Sequence, residues 1–486
     1  TGLHVTCGHQ LTTRLDSVHR ATTAALNAQL VPLLRELIST LRETLHHLGV
    51  AAPLMVVKGD GSLVRAEWAM QRPIETILSG PAASVVGAWH LAGRRDVWTV
   101  DVGGTTTDVA VLDGGRPRLN PEGARVGGWR TMVEAADAHT VGLGGDSHVR
   151  LNGAKLIIGP QRVIPLCLLA NEHPGVVNKL KWQEQEKKAG RIGQFVVAQR
   201  LTAQGLSVEK RSLLRSLRDG PRLMTELAEQ GPLYAQWIRS LEARQIVLRS
   251  AFTPTDALHA LGHLDIWNAE ASRIGARMLA KQTNLDPEAL CEWAIEGVSD
   301  RISKALVTKV LSDEGALPDW EQDPAAEEML SRALGHRPDS DLRCQMSLRQ
   351  PLVAIGAPVK AYMPRVAQQL DTELIIPSHA EVANAVGAVT GSVVQQIRVT
   401  IQPLGEDAFR LHLSDGVHDF PTLTECVRYA EETMAEKAAA MAREAGAHHI
   451  EVRIEREDKT APVRGDRIYL GTEMTFTAVG RPSLAA

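Results

Sequence analysis

Residues Val97–Gly115 read VWTVDVGGTTTDVAVLDGG. An apolar run delivers Asp101. A Gly103-Gly104 pair follows, then Thr105, Thr106 and Thr107, then Asp108 and a second apolar run. The pattern is strand, turn, strand, with the polar residues confined to the turn. Glycine lets a backbone approach a ligand closely, and successive backbone N–H groups in such a turn form a concave anion site. Threonine hydroxyls add donors. The leading carboxylate is what a phosphate site needs to hold a Mg2+-bound water or to orient an attacking water. A hairpin with a Gly-Gly turn fits the strand pattern too, but it has no need of two Asp and three Thr.

Working outward, Leu54–Val57 reads as a short strand closed by the turn KGDGS. The stretch HRATTAALNAQLVPLLRELISTLRETLHHLG has apolar residues at helical spacing and stops at Gly49. Strands alternating with short helices predict an α/β layer with a mostly parallel sheet over residues 1–173. Within it, Ser79 and Gly80 of ETILSGPAA form a turn and helix start, which can face an anion or be a plain Ser cap with Pro in the first turn. From 174 to 345 helical periodicity dominates. Three helices and a strand over 208–253 resemble a winged-helix module. Residues 346–392 return to α/β texture, and 393–486 read as a small α+β lobe with one long helix over about 423–446.

The 486 residues carry a net charge of −4, which argues against a surface built wholly for nucleic acid. Five cysteines stand far apart with no CxxC pair, so neither a zinc cluster nor a disulfide framework is indicated. That usage suits a reducing compartment, and a cytoplasmic protein is expected. No apolar stretch approaches the roughly 18 residues of a membrane helix, and no signal-peptide pattern is read.

DVGGTTTDVAVLDGG resembles the second phosphate motif of the actin-like ATPase superfamily. With SGPAASVVGA before it and DAHTVGLGGDS after it, the trio resembles the hydantoinase A / 5-oxoprolinase / acetone carboxylase family. FTPTDALHALGHLD, VAIGAPVKAYMP and IIPSHAEVANAVGAV resemble further segments of that family. The resemblance implies an actin-like ATPase (ribonuclease H-like) fold, here with a helical, winged-helix-like insert. It implies ATP and Mg2+ as cofactors, with Asp101 and Asp108 catalytic and the 103–107 turn binding nucleotide beside Ser79, Gly80, Gly356 and Ala357. The implied reaction is ATP-dependent hydrolysis of a cyclic amide, lactam or hydantoin, through phosphorylation of its carbonyl. An ATP-dependent carboxylase subunit, a C1-pathway protein or a non-catalytic binding protein of the same fold are the alternatives. A hydantoinase B-type subunit or a second copy is the implied partner. Family members carry an earlier phosphate loop in an N-terminal domain. This chain shows one such loop, so a missing first lobe and an incomplete activity are expected.

DAHTVGLGGDSH places Asp137 and His139 on one side of an extended segment. In TDALHALGHLD, helical geometry puts Asp256, His259 and His263 on one face. Asp137, His139 and Asp256 are candidate ligands of a further divalent metal, Zn2+ or Mn2+. The same residues also serve as hydrogen-bonded loop formers. In the insert, the third helix LYAQWIRSLEARQ offers few base-reading residues, so a partner-docking or structural role is favoured over DNA binding.

Overall fold

The structure is a computed structural model that describes residues 5–12, 16–153, 155–185, 192–202, 204–405, 408–413, 416–463 and 466–483. The chain forms two compact units that interleave along the sequence. One comprises Thr1–Asp96, Ala110–Ala138 and Val382–Ala486; the other comprises Val97–Val109 and His139–Glu381.

The second unit is built around Val97–Val102. Five of its six residues are buried, as a near-continuous apolar run predicts for a strand covered on both faces. Leu352–Ile355 runs parallel to it, with Ile355 opposite Asp101. Leu374–Ile375 adds a further parallel strand outside. The strand beginning at Thr107 takes His139–Val141 as an antiparallel neighbour. Helices Pro254–Ala260, Ala269–Ala280, Pro287–Asp313 and Val359–Gln369 belong to this unit. Their starts are written in the sequence: Thr253, Asn268 and Asp286 each accept a backbone N–H of the first turn.

The 195–251 region has its own core. Val208–Ser216, Met224–Glu229 and Tyr234–Ala243 are helices whose Leu213, Leu227, Ile238 and Leu241 close on one another. A small sheet orders Ile164–Pro165, Val247–Ala251, Phe195–Ala198 and Arg222–Leu223. The sequence pattern showed the helices but not Phe195–Ala198, whose first residue pairs with Leu223 and Ser250, 28 and 55 positions downstream.

In the first unit, a five-stranded antiparallel sheet is crossed by the helix Leu423–Glu444. Val393, Gln395, Ile397, Val399 and Ile401 alternate inward along the central strand, the period-2 signature of a half-covered sheet. Cys426, Ala430, Met434, Ala438 and Ala442 form the helix face buried against it. Elsewhere in the unit, Ser79–Ala92 meets Ala383–Thr390 at a crossing of glycines. A Cβ on Gly87 would lie 1.8 Å from the Ala383 carbonyl oxygen, and one on Gly387 would lie 1.8 Å from that of Ala83. Among the described residues no helix is long and apolar enough to cross a membrane.

Candidate nucleotide site

Three loops of the second unit meet at the carboxyl ends of Val97–Val102 and Leu352–Ile355. In open α/β sheets, that edge is where ligands bind. The first loop is the 103–106 turn, closed by Gly103 N–H donating to Thr106 O at 2.9 Å. The second is Gly144–Asp146, which lies directly on it. Gly145 N–H donates to Gly103 O at 3.1 Å and Asp146 N–H to Gly104 O at 2.7 Å. A Cβ on Gly144 would sit 2.5 Å from those same backbone atoms, so only glycine allows the two loops to nest. Thr107 is fully buried and spends its hydroxyl on Leu143 O at 2.8 Å. It is therefore a strut between the loops, and Thr105 and Thr106 remain the hydroxyls nearer solvent.

The third loop starts at Gly356, whose φ of +105° favours glycine. A Cβ there would lie 2.2 Å from Val102 O and 3.2 Å from an Asp101 carboxylate oxygen. Gly356 thus reaches the loop through the parallel register that sets Ile355 against Asp101, and Ala357 follows it, exposed. Two of the sequence-predicted groups, the 101–108 loop and Gly356, are brought together, and the Gly144–Asp146 loop joins them.

Asp108 accepts a short hydrogen bond from the Thr140 hydroxyl. Burial pushes its carboxyl above the usual range, and that hydrogen bond only partly offsets the rise. Asp146 is also raised by burial, with Arg162 pulling the other way through contacts of 3.1 and 3.2 Å. Nothing local in the sequence links positions 146 and 162. The link is the hairpin register, which places Arg162 opposite Ser147. Tyr362 is a second residue that pattern reading missed. Its hydroxyl is buried without a hydrogen-bond partner among the described residues, and burial and the Asp146 charge push it up.

The expected metal set is not assembled. Among the described residues, no group of three His, Cys, Asp or Glu is placed to hold a metal ion. Asp256 is fully buried and caps its own helix. Its carboxylate accepts from Leu166 N, Cys167 N, Thr253 N, the Thr253 hydroxyl and the Ser272 hydroxyl, all within 3.0 Å. Asp137, in the first unit, takes a 3.4 Å contact from Asn120 Nδ2. His139 pairs opposite Val109 in the second. His259 lies in the same helix as Asp256, buried and stacked on Trp267 at 5.8 Å with both ring nitrogens unpartnered among the described residues, and His263 falls beyond the helix end. Ser79 is not a cap either. Leu78 takes the cap position at φ 62°, and Gly80 O accepts from Asn384 Nδ2 at 2.9 Å. Burial pushes the thiols of Cys167 and Cys426 up, and Cys291 up to about 12.

These loops form a glycine-lined concavity on the carboxyl edge of the parallel strands, the edge at which open α/β sheets bind ligands. Residues 20–175 match the hydantoinase/oxoprolinase family, which the motif trio resembles. Over 161 residues the chain is 27% identical to caprolactamase subunit alpha of Pseudomonas jessenii, covering 32% of this chain and 23% of that one. Over 178 residues it is 28% identical to 5-oxoprolinase 1 of Arabidopsis thaliana, covering 36% and 13%. The fold is similar to ATP-dependent caprolactamase from Pseudomonas jessenii, with a TM-score of 0.55 at 16% identity over 99% of this chain and 60% of that one. It is similar to nucleotide-free acetone carboxylase, with a TM-score of 0.53 at 14% identity over 96% and 58%. The matched stretches span less than a quarter of those curated relatives' length.

Proposed function

We propose that this chain carries the phosphate-binding part of an ATP-dependent enzyme that hydrolyses the C–N bond of a cyclic amide. The nested loops carry the reading. Glycine at 103, 104, 144 and 356 leaves backbone facing backbone, and Asp101, Asp108 and Asp146 stand at the margins. That composition fits a triphosphate with Mg2+: close backbone approach and the exposed turn at Gly104–Thr105 for phosphate oxygens, and carboxylates for metal-bound water. Gly356 and Ala357 fit the nucleoside side. When bound, ATP supplies the phosphoryl group that converts a carbonyl oxygen into a leaving group. The chain's own part is to hold and orient. The 103–106 turn binds phosphate, Asp101 orients a water, and Asp108, raised by burial, holds or accepts a proton. The names of the relatives, caprolactamase and 5-oxoprolinase, support a lactam substrate. A hydantoinase B-type subunit is the proposed partner.

The near-equal fold match to acetone carboxylase supports a second reading, carboxylation with the same ATP site. Calorimetry with Mg2+ and ATP on this chain tests the shared step. Binding that Gly356→Val abolishes is expected. No binding, or binding unchanged by Gly356→Val, overturns both readings. Phosphate release stimulated by caprolactam or 5-oxoproline favours hydrolysis; stimulation by acetone with bicarbonate favours carboxylation.

A further inference from the structure

A cavity of about 640 Å³ lies within the first unit, well inside the size range of small-molecule sites. It contains none of the phosphate-loop residues. One wall is the Lys58–Ser62 turn, tied by Ser62 N–H and hydroxyl to Asp60 at 2.9 and 2.6 Å. Lys58 is buried and ion-paired to Asp60 at 3.0 Å. A second wall is a stack: the Arg72 guanidinium lies 3.8 Å over the Trp68 ring, and the Trp68 indole N–H donates to Glu75 at 3.2 Å. Val86, Trp89, Leu119, Ile397 and Met441 add apolar surface to a lining that is otherwise largely polar.

The polar groups of this cavity are not all partnered. Asp60, Glu75 and Glu134 are each engaged by a cation, from Lys58, Arg72 and Arg398 in turn, and Lys437 and Glu444 also line it. Arg116, exposed on the lining, has no carboxylate partner among the described residues. Two buried atoms of lining residues also go without hydrogen bonds, Arg72 Nη1 and Gln395 Nε2. Gln395 is 4% exposed, so its amide has no ready access to water. Both orphans are donors, and no buried acceptor of the lining is left over. An unmade buried hydrogen bond is costly, so the site calls for a ligand that brings acceptors.

We propose that this cavity is a binding site for a small organic acid, distinct from the nucleotide site. Its carboxylate is received by Arg72, Gln395 and Arg116, and its apolar body lies against Trp89 and its neighbours. Arginine suits this task because its planar fork can hold a carboxylate in two parallel bonds.

Calorimetry on the full chain with 4-phenylbutyrate, 4-phenylbutan-1-ol and 4-phenylbutylamine tests the proposal. The acid binds at millimolar concentration or tighter, the alcohol binds at least about tenfold more weakly, and the amine gives no heat. Gln395→Met and Arg116→Gln each weaken the acid about fivefold or more, and Arg116→Gln, at an exposed position, leaves the fold intact by thermal unfolding. No binding of the acid, binding of the amine as tight as that of the acid, or two variants indistinguishable from the parent overturns the proposal. Mg2+ and ATP binding is measured on the same variants and stays unchanged, so failure here leaves the nucleotide reading standing.

Discussion

Gly356 is packed under Val102 so closely that a Cβ on residue 356 would lie 2.2 Å from the Val102 carbonyl oxygen. The contact follows from the parallel register that sets Ile355 beside Asp101. Any side chain must therefore push the third loop away from the phosphate turn, and its φ of +105° adds backbone strain. Gly356→Val is expected to cost about 2–4 kcal/mol in urea unfolding. A cost below about 0.5 kcal/mol contradicts the packing.

Asp108 is expected to behave as a carboxyl that resists ionisation. Its folded pKa is raised, so protonation favours the folded state and ionisation at neutral pH costs stability. The penalty is full above the folded pKa and is relieved as pH falls through it. Asp108→Asn should therefore equal or exceed the parent in stability at pH 7, with the difference shrinking toward pH 4. In an ATP-turnover assay of the assembled enzyme, the same variant should lose roughly 10²-fold or more. Unchanged turnover removes Asp108 from the chemistry.

Asp256 separates a metal role from a capping role. Asp256→Ala strands five buried donors and should cost at least about 3 kcal/mol. Metal content by elemental analysis should stay as in the parent. A stable variant that has lost a stoichiometric metal would restore the ligand reading.

The Gly87–Gly387 crossing predicts a steep response to a small change. Gly87→Ala places a methyl 1.8 Å from Ala383 O, so the two helices must separate. A loss of about 1–3 kcal/mol is expected by thermal or urea unfolding. An exposed control, Gly80→Ala, meets nothing within 4 Å and should change stability by less than about 0.5 kcal/mol.

The 195–251 region has its own packed core, yet its third helix holds few base-reading groups. No mobility shift with duplex DNA is expected even at low salt. A shift that weakens steeply with added salt would establish a phosphate-backbone contact instead.

What a sequence can show depends on how local the cause is. The apolar run into Asp101, the glycine pair and the following threonines specify strand, turn and strand within nineteen residues. The caps at Thr253, Asn268 and Asp286 are equally local, since each bonds within its own first turn. The candidate metal set failed for the opposite reason. Spacing put Asp256 on a helix face, but its carboxylate is captured by Leu166 and Cys167, some ninety positions away.

The sequence by itself determined the strand–turn–strand at 97–115 and the family match of residues 20–175. Tertiary structure alone decided that Gly144 nests on the turn, how closely Gly356 packs against Val102, that Arg162 tempers Asp146, and that Lys58, Arg72 and Gln395 wall a separate cavity. Each of these rests on strand register, helix crossing or burial. Such contacts join residues far apart in the chain, and no local pattern of residue types encodes them.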